Sequence, residues 1–192
     1  MYRDKMNDIS GFTAQELILS GSDMSDEGLQ VCERIKEVMM MCDREDPVYE
    51  QISSFSIALY TLGYFDCPDV MSFQDVDAQE AAAILSEHFT PVRSKDIPQD
   101  YHITQSDERY LLVIGDPLFP VHFAVLTDFR NEQPFFSKLP LFGSGFDSLA
   151  ELKDEFSGYD GIQQYDVQYF IKNQDATQSS AIRKGRIYIV KD

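Results

Sequence analysis

The sequence predicts an α+β protein: an N-terminal antiparallel helical half of about four helices, followed by a four-stranded antiparallel sheet with one helix, in the order β-β-α-β-β. Three observations lead to this fold class. Helix caps followed by apolar residues three and four apart dominate the first half. Short apolar runs bounded by Gly and Pro dominate the second half. Strands and helices show no regular alternation that would require a parallel sheet.

Four helices are expected in the first half, each beginning at a residue whose side chain can accept a hydrogen bond from a free amide of the first turn. Apolar residues line one face of the second helix and one face of the third, so we expect these two to pack as an antiparallel hairpin. The expected helices run from Thr13 to about Ser20, from Ser25 or Asp26 to about Cys42, from Asp46 to Gly63, and from Asp77 to about Phe89.

The second half contains the signals for strands. Two apolar runs, Tyr110–Ile114 and Val121–Thr127, are joined by a short connection that contains proline, and we expect them to form an antiparallel hairpin. A capping box at Ser148 and Glu151 predicts a helix that reaches about Phe156. Two further strands are expected, at Tyr165–Ile171 and Arg186–Val190.

The polar stretch around Pro98 marks the change from one half to the other. We therefore expect a helical half at residues 1–92, a connector at 93–108 and a sheet half at 109–192. Nothing in the connector requires the two halves to move independently, so they can share one core.

The charge of the chain is strongly negative: 16 Lys and Arg residues stand against 33 Asp and Glu residues, for a net charge of −17. Such a surface repels the nucleic-acid backbone and attracts basic partners. We expect no direct binding of a nucleic-acid backbone, and we expect Glu33 and Glu37 to form an electrostatic surface for a basic partner. The alternative is that the acidity only keeps the protein soluble.

The cysteines and the first residues predict a cytoplasmic protein. Three cysteines leave one unpaired in any disulfide scheme, and none of them forms a C-x-x-C motif. The first ten residues contain no apolar signal segment. Since no stretch approaches the roughly 18 apolar residues that a membrane span requires, we expect no membrane association.

No motif for catalysis, a metal or a cofactor is present. His122 lies in an expected strand and is the candidate general base, with Asp116 or Asp128 beside it, but no serine or cysteine has a recognised nucleophile context. The acidic stretches lack the order of a calcium loop, and the Cys and His residues are too scattered for zinc. The glycine-containing segment 143–145 lacks the lysine of a phosphate loop. We therefore assign no catalytic residue, metal or cofactor.

The segment Pro134–Phe142 concentrates large apolar residues between a strand and a helix. Its prolines disfavour a helix or a central strand, so we expect a loop. The apolar side chains of such a loop either fold back over the core or remain exposed as the anchor for a partner. In the second case, the residues expected to bind the partner are Phe135, Phe136, Leu139, Leu141 and Phe142.

These features favour a non-catalytic acidic protein that acts by protein–protein binding. A more specific version of this hypothesis is an inhibitor or immunity-type protein for a basic partner. Two alternatives stay open: an enzyme of unrecognised type centred on His122, and a small-ligand sensor with a pocket between the helices and the sheet. The sequence does not predict the oligomeric state.

Overall fold

The computed structural model describes residues 25–44, 52–157 and 166–174, and this part of the chain contains four α-helices and a six-stranded antiparallel sheet. The helices are α1 (Asp26–Cys42), α2 (Ser54–Thr61), α3 (Ala78–His88) and α4 (Leu149–Phe156). The strands are β1 (Phe89–Val92), β2 (Tyr110–Asp116), β3 (Phe119–Leu126), β4 (Phe135–Leu139), β5 (Gly143–Asp147) and β6 (Val167–Lys172). The α+β class is confirmed, whereas the prediction of a helical half followed by a four-stranded sheet is wrong.

Side-chain caps determine where the helices begin. At the start of α1, Ser25 Oγ accepts a hydrogen bond from Gly28 N at 3.0 Å. Complete capping boxes begin α3 and α4, from Asp77 with Glu80 and from Ser148 with Glu151. Because these caps are local signals, the predicted bounds of α1, α3 and α4 are confirmed to within about one residue.

The helix α2 is shorter than predicted. Ser53 has extended backbone angles, with φ −70° and ψ 156°, and its Oγ accepts a hydrogen bond from Ser56 N at 3.1 Å. Asp75 Oδ1 accepts from the amide of Ser53 at 3.0 Å and fixes this conformation. The prediction of a single helix from Asp46 to Gly63 is therefore wrong.

Three predicted features lie outside the described residues: the cap at Asp46, the helix at Thr13 and the strand Arg186–Val190.

The strands have the order β1-β6-β2-β3-β4-β5, and each pairs antiparallel with its neighbours. The predicted hairpin is confirmed as β2–β3, with Leu111 opposite Val125 and Ile114 opposite His122. The strand predicted at Tyr165–Ile171 corresponds to β6, which pairs with both β1 and β2.

Three strands, β1, β4 and β5, are absent from the predicted fold. Pro91 is tolerated in β1 because this strand is at the edge of the sheet, where a missing amide costs no ladder hydrogen bond. Pro134 and Pro140 lie just outside β4, so they bound the strand and do not interrupt it. The predicted loop at 134–142 is therefore wrong over Phe135–Leu139, and only residues 140–142 form a turn. The two glycines of β5 favour a loop when only the sequence is considered.

The helices do not form a separate half. Neighbouring residues of a strand point to opposite faces of the sheet. Phe123 of β3 contacts Phe55 of α2, with ring centroids 4.9 Å apart, whereas His122 contacts Phe156 of α4 at 4.5 Å. Helices thus cover both faces, and one hydrophobic cluster joins the helices to the sheet. The division at residues 1–92, 93–108 and 109–192 stays a prediction.

The thiols test the packing of α1. Cys32 and Cys42 are buried, and burial raises the pKa of both thiols, so we expect slow alkylation in the native protein and fast alkylation after denaturation. Burial also raises the pKa of Cys67, but this residue is only half-buried and should react first. Time-resolved mass spectrometry measures the three rates. Equally fast native labelling of all three would contradict the buried face of α1.

Candidate functional site

The apolar residues of the 134–142 segment divide into two groups. Phe135, Phe136 and Leu139 belong to β4 and are buried in the core. Leu141 and Phe142 follow β4 in the turn that leads to β5, and they are 72% and 50% exposed. Of the five predicted anchors, only the last two present their side chains to solvent.

A second turn exposes apolar residues at the same end of the sheet. Leu118 in the β2–β3 turn and Phe119, the first residue of β3, are 68% and 75% exposed. Since neighbouring strands are antiparallel, the β2–β3 and β4–β5 turns lie at one edge. We call Leu118, Phe119, Leu141 and Phe142 the apolar edge.

The two hairpins separate toward the apolar edge. The register of β3 with β4 extends only over Val125–Phe136 and Leu126–Phe135, which lie away from the turns. The start of α2 occupies the space between the diverging strands, where Ser54 Oγ accepts a hydrogen bond from Phe123 N at 3.4 Å. The turns are therefore held by separate hairpins on a common scaffold.

The two glutamates predicted as an electrostatic surface have different surroundings. Glu33 is exposed on α1. Glu37 is half-buried and accepts hydrogen bonds from Val70 N at 2.9 Å and from the hydroxyl of Tyr60. Glu37 therefore ties the segment after α2 to α1, and a charge reversal there would disturb the fold as well as the surface.

His122 lies in the core and not in an open cleft. Its side chain is buried, and its Nε2 has no hydrogen-bond partner among the described residues. Burial, with a smaller contribution from the charges of Lys138 and Arg44, lowers the pKa of His122 to about 3. Within the described part of the chain, no hydrogen bond or ion pair joins His122 to Asp116 or Asp128.

The carboxylates near α3 have structural partners. Asp75 accepts hydrogen bonds from Ser53 and Ser56, and Asp77 caps α3. Among the residues that the structure describes, no group of three or more His, Cys, Asp or Glu side chains is arranged to hold a metal ion.

A cavity of about 390 Å³ lies between α1, the end of α2 and the sheet. We call it the cationic pocket, because Arg34 of α1, Arg109 before β2 and Lys172 at the end of β6 all line it. The pairing of β2 with β6 holds two of these residues together, since Lys172 N donates to Arg109 O at 2.9 Å. The remaining lining residues are Glu27, Gln30, Val31, Leu62, Gly63, Asp107, Asn173 and Gln174.

The electrostatics of the cationic pocket are unusual for two of its residues. Burial, and then the charges of Arg34 and Arg109, lower the pKa of Lys172 to about 8, against the opposing effect of Glu27. Arg109 Nη1 donates to the carbonyls of Ser106 and Glu108, but the buried Nη2 has no hydrogen-bond partner in the described ranges. Glu27 Oε2 lies 3.8 Å from Nη2, beyond hydrogen-bonding distance.

None of these pocket residues is expected from the sequence to form a binding site, because they come from four distant parts of the chain. One local signal exists on α1: Glu27, Gln30, Val31 and Arg34 have the spacing of residues on one helix face. For the apolar edge, the signal is Pro117-Leu118-Phe119-Pro120, in which prolines again flank large apolar residues.

Comparison with known proteins adds no relative to this picture. No protein family matches the chain, and no curated protein or solved structure is significantly similar to it. In the described ranges, none of the helices has the length and apolar character that crossing a membrane requires.

Proposed function

We propose that this chain is a non-catalytic acidic protein that acts by binding a basic protein partner, with the apolar edge as the anchor of the interface. One observation carries the proposal: two hairpin turns expose Leu118, Phe119, Leu141 and Phe142 at the same end of the sheet. Large apolar side chains on turns that a rigid scaffold holds are typical interface anchors.

Charge favours a different, basic protein over a second copy of this chain. With a net charge of −17, two copies repel each other. Asp116 and Asp166 are exposed beside the β2–β3 turn, where Gly115 N donates to Asp166 O at 2.9 Å. An apolar pocket with a basic rim on the partner would match this arrangement. The sharper form of the proposal is an inhibitor or immunity-type protein that covers the working surface of its partner.

A partner should dissociate faster from the Phe119→Ala and Phe142→Ala variants than from the wild type. Truncation of an aromatic anchor costs about 2 kcal/mol or more. At an unchanged association rate, this corresponds to roughly 30-fold faster dissociation. Affinity purification from the native cell identifies the partner, and surface plasmon resonance then measures both rate constants.

Two further variants separate the anchor from the charge. Leu29→Ala is the matched control, since Leu29 is a partly exposed apolar residue of α1 outside the apolar edge. Glu33→Lys should slow association without changing dissociation, because it weakens the long-range attraction of a basic partner. Salt screens this attraction over about 8 Å at physiological ionic strength. Equal dissociation rates for Phe119→Ala and Leu29→Ala would exclude the apolar edge as the interface. A dimer that forms without a partner, and that Phe119→Ala abolishes, would assign the edge to self-association.

A further inference from the structure

The cationic pocket opposes the charge of the protein as a whole. The chain has 17 more acidic than basic residues, yet Arg34, Arg109 and Lys172 converge on one cavity. The two carboxylates of the lining, Glu27 and Asp107, belong to exposed residues, so solvent weakens their effect on the cations. Three cations that lie close together repel one another, and an anion bound between them would offset this repulsion.

Arg109 carries a buried hydrogen-bond donor beside the pocket. Its side chain is only 6% exposed, and the two carbonyl acceptors are both used by Nη1. The buried Nη2 therefore has a proton to donate and no acceptor among the residues that the structure describes. An unsatisfied buried donor, above all a charged one, is costly, and an acceptor that enters from solvent would remove this cost.

The turn after α2 builds the other side of the pocket. Gly63 has a φ of +67°, and a Cβ atom at this position would lie 2.3 Å from Arg34 Nη1, so only glycine allows the guanidinium to lie against the turn. The carbonyl of Leu62 accepts a hydrogen bond from Lys172 Nζ at 3.0 Å. Both cations thus lie against the same short segment.

We propose that the cationic pocket binds a small polar molecule through an oxyanion group, either a phosphate or a carboxylate. The guanidinium groups of Arg34 and Arg109 match the geometry of both oxyanions, and Lys172 contributes a point charge. Gln30 and Asn173 also line the cavity and offer amide groups to the polar remainder of the ligand. The volume of about 390 Å³ lies within the range of small-molecule sites.

This site is independent of the apolar edge. The cationic pocket lies where β2 begins and β6 ends, whereas the apolar edge lies where β2 ends. The length of β2 separates the two by roughly 20 Å, at about 3.4 Å per residue. A ligand in the pocket therefore leaves the proposed protein interface free, and either proposal can fail without the other.

Isothermal titration calorimetry with inorganic phosphate and with succinate tests the proposal on the full chain. We expect saturable binding of one anion per chain at pH 7 and low ionic strength, and none with sodium chloride at matched ionic strength. Tighter binding of phosphate would indicate a phosphate ester as the ligand, and tighter binding of succinate would indicate a carboxylate.

Two variants with opposite effects identify the pocket as the site. Arg34→Gln should weaken binding by about tenfold or more, since it removes a charged hydrogen-bond donor. Glu27→Gln should strengthen binding by about two- to fivefold, because it removes the carboxylate that competes for Arg109. Glu33→Gln is the matched control on the same helix: Glu33 is exposed and does not line the pocket. Glu27 is also exposed, so its substitution should not prevent folding.

Proton uptake gives an independent readout. Three charged groups act on the ammonium of Lys172: Arg34 and Glu27 on α1, and Arg109 before β2. A bound anion raises the pKa of Lys172 from its value of about 8, so binding near pH 8.5 should take up part of a proton. Titrations in buffers of different ionisation enthalpy measure this uptake. No saturable binding of either anion, or equal effects of Glu27→Gln and Glu33→Gln, would overturn the proposal.

Discussion

Phe123→Ala should destabilise the protein by about 3–5 kcal/mol, the usual cost of removing a fully buried phenylalanine. Phe123 has no exposed surface, lies in β3 opposite Val113 and meets the ring of Phe55 edge-on. Its ring fills the contact between α2 and the sheet, so the substitution leaves a cavity that two rigid elements border. Urea denaturation followed by far-ultraviolet circular dichroism measures the loss.

Phe119→Ala is the matched control for this substitution. The residue type, the strand and the change are the same, but Phe119 is 75% exposed, so we expect a change of less than about 0.5 kcal/mol. Comparable losses from the two variants would contradict the packing of α2 on β3. A small loss for Phe119→Ala also establishes that this variant is folded when its partner binding is measured.

The elements that the sequence predicts correctly are those with local signals. Ser25, Asp77 and Ser148 cap their helices through residues only three positions away. The apolar runs of β2 and β3 are joined by a short turn, so their pairing requires little loop closure. Each of these interactions is contained within a short window of the chain, which is why spacing and residue type suffice to identify it.

The elements that the sequence misses depend on distant contacts. The sequence is the same whether Pro134 and Pro140 interrupt a strand or flank one. Only the pairing of β4 with β5 distinguishes the two cases. The terminal strand β1 continues directly from α3, and its partner β6 lies about 80 residues later in the chain, with Phe89 opposite Lys172. A strand of four residues has too few side chains to show a period of its own.

The candidate site follows the same rule. Leu141 and Phe142 are accessible while Phe135 and Phe136 are buried, although all four belong to one apolar run. Lys172 and Phe170 lie on the same face of β6, and Phe170 on that face is buried. The cationic pocket could not be predicted because its three cations come together only when β6 pairs with β2 beneath α1.

A partly buried ion pair joins the segment after α1 to β5. Arg44 donates to the carboxylate of Asp147, which is only 2% exposed and also accepts from Ser137 Oγ at 3.4 Å. Gly143, with φ +74°, allows this approach, since a Cβ atom there would lie 2.2 Å from the carbonyl oxygen of Asp43. The residues after α1 thus lie against β5, with an isolated parallel bridge between Asp43 and Ser144, and Arg44 pairs with the buried carboxylate at this contact.

Arg44→Ala should cost about 3 kcal/mol, because it leaves the carboxylate of Asp147 buried without a counter-ion. This value is at the lower end for buried pairs, since a third of the Arg44 side chain is exposed. The double variant Arg44→Ala/Asp147→Asn should recover part of the loss by removing the unpaired charge. Free energies of unfolding for the single and double variants measure the coupling, and a double variant no more stable than Arg44→Ala would contradict the ion pair as its cause.

The pH dependence of Arg44→Ala provides the decisive check. In the wild type, burial raises the pKa of Asp147, while the hydrogen bond and charge of Arg44 oppose this rise. Without Arg44 the pKa should rise further, so the folded variant takes up a proton that the unfolded chain does not. Folding that binds a proton is favoured as the pH falls, and the stability of the variant relative to the wild type should improve between pH 7 and pH 5.5. An equal loss of stability at both pH values would mean that Arg44 acts by packing alone, since the removal of packing contacts does not depend on the charge of Asp147.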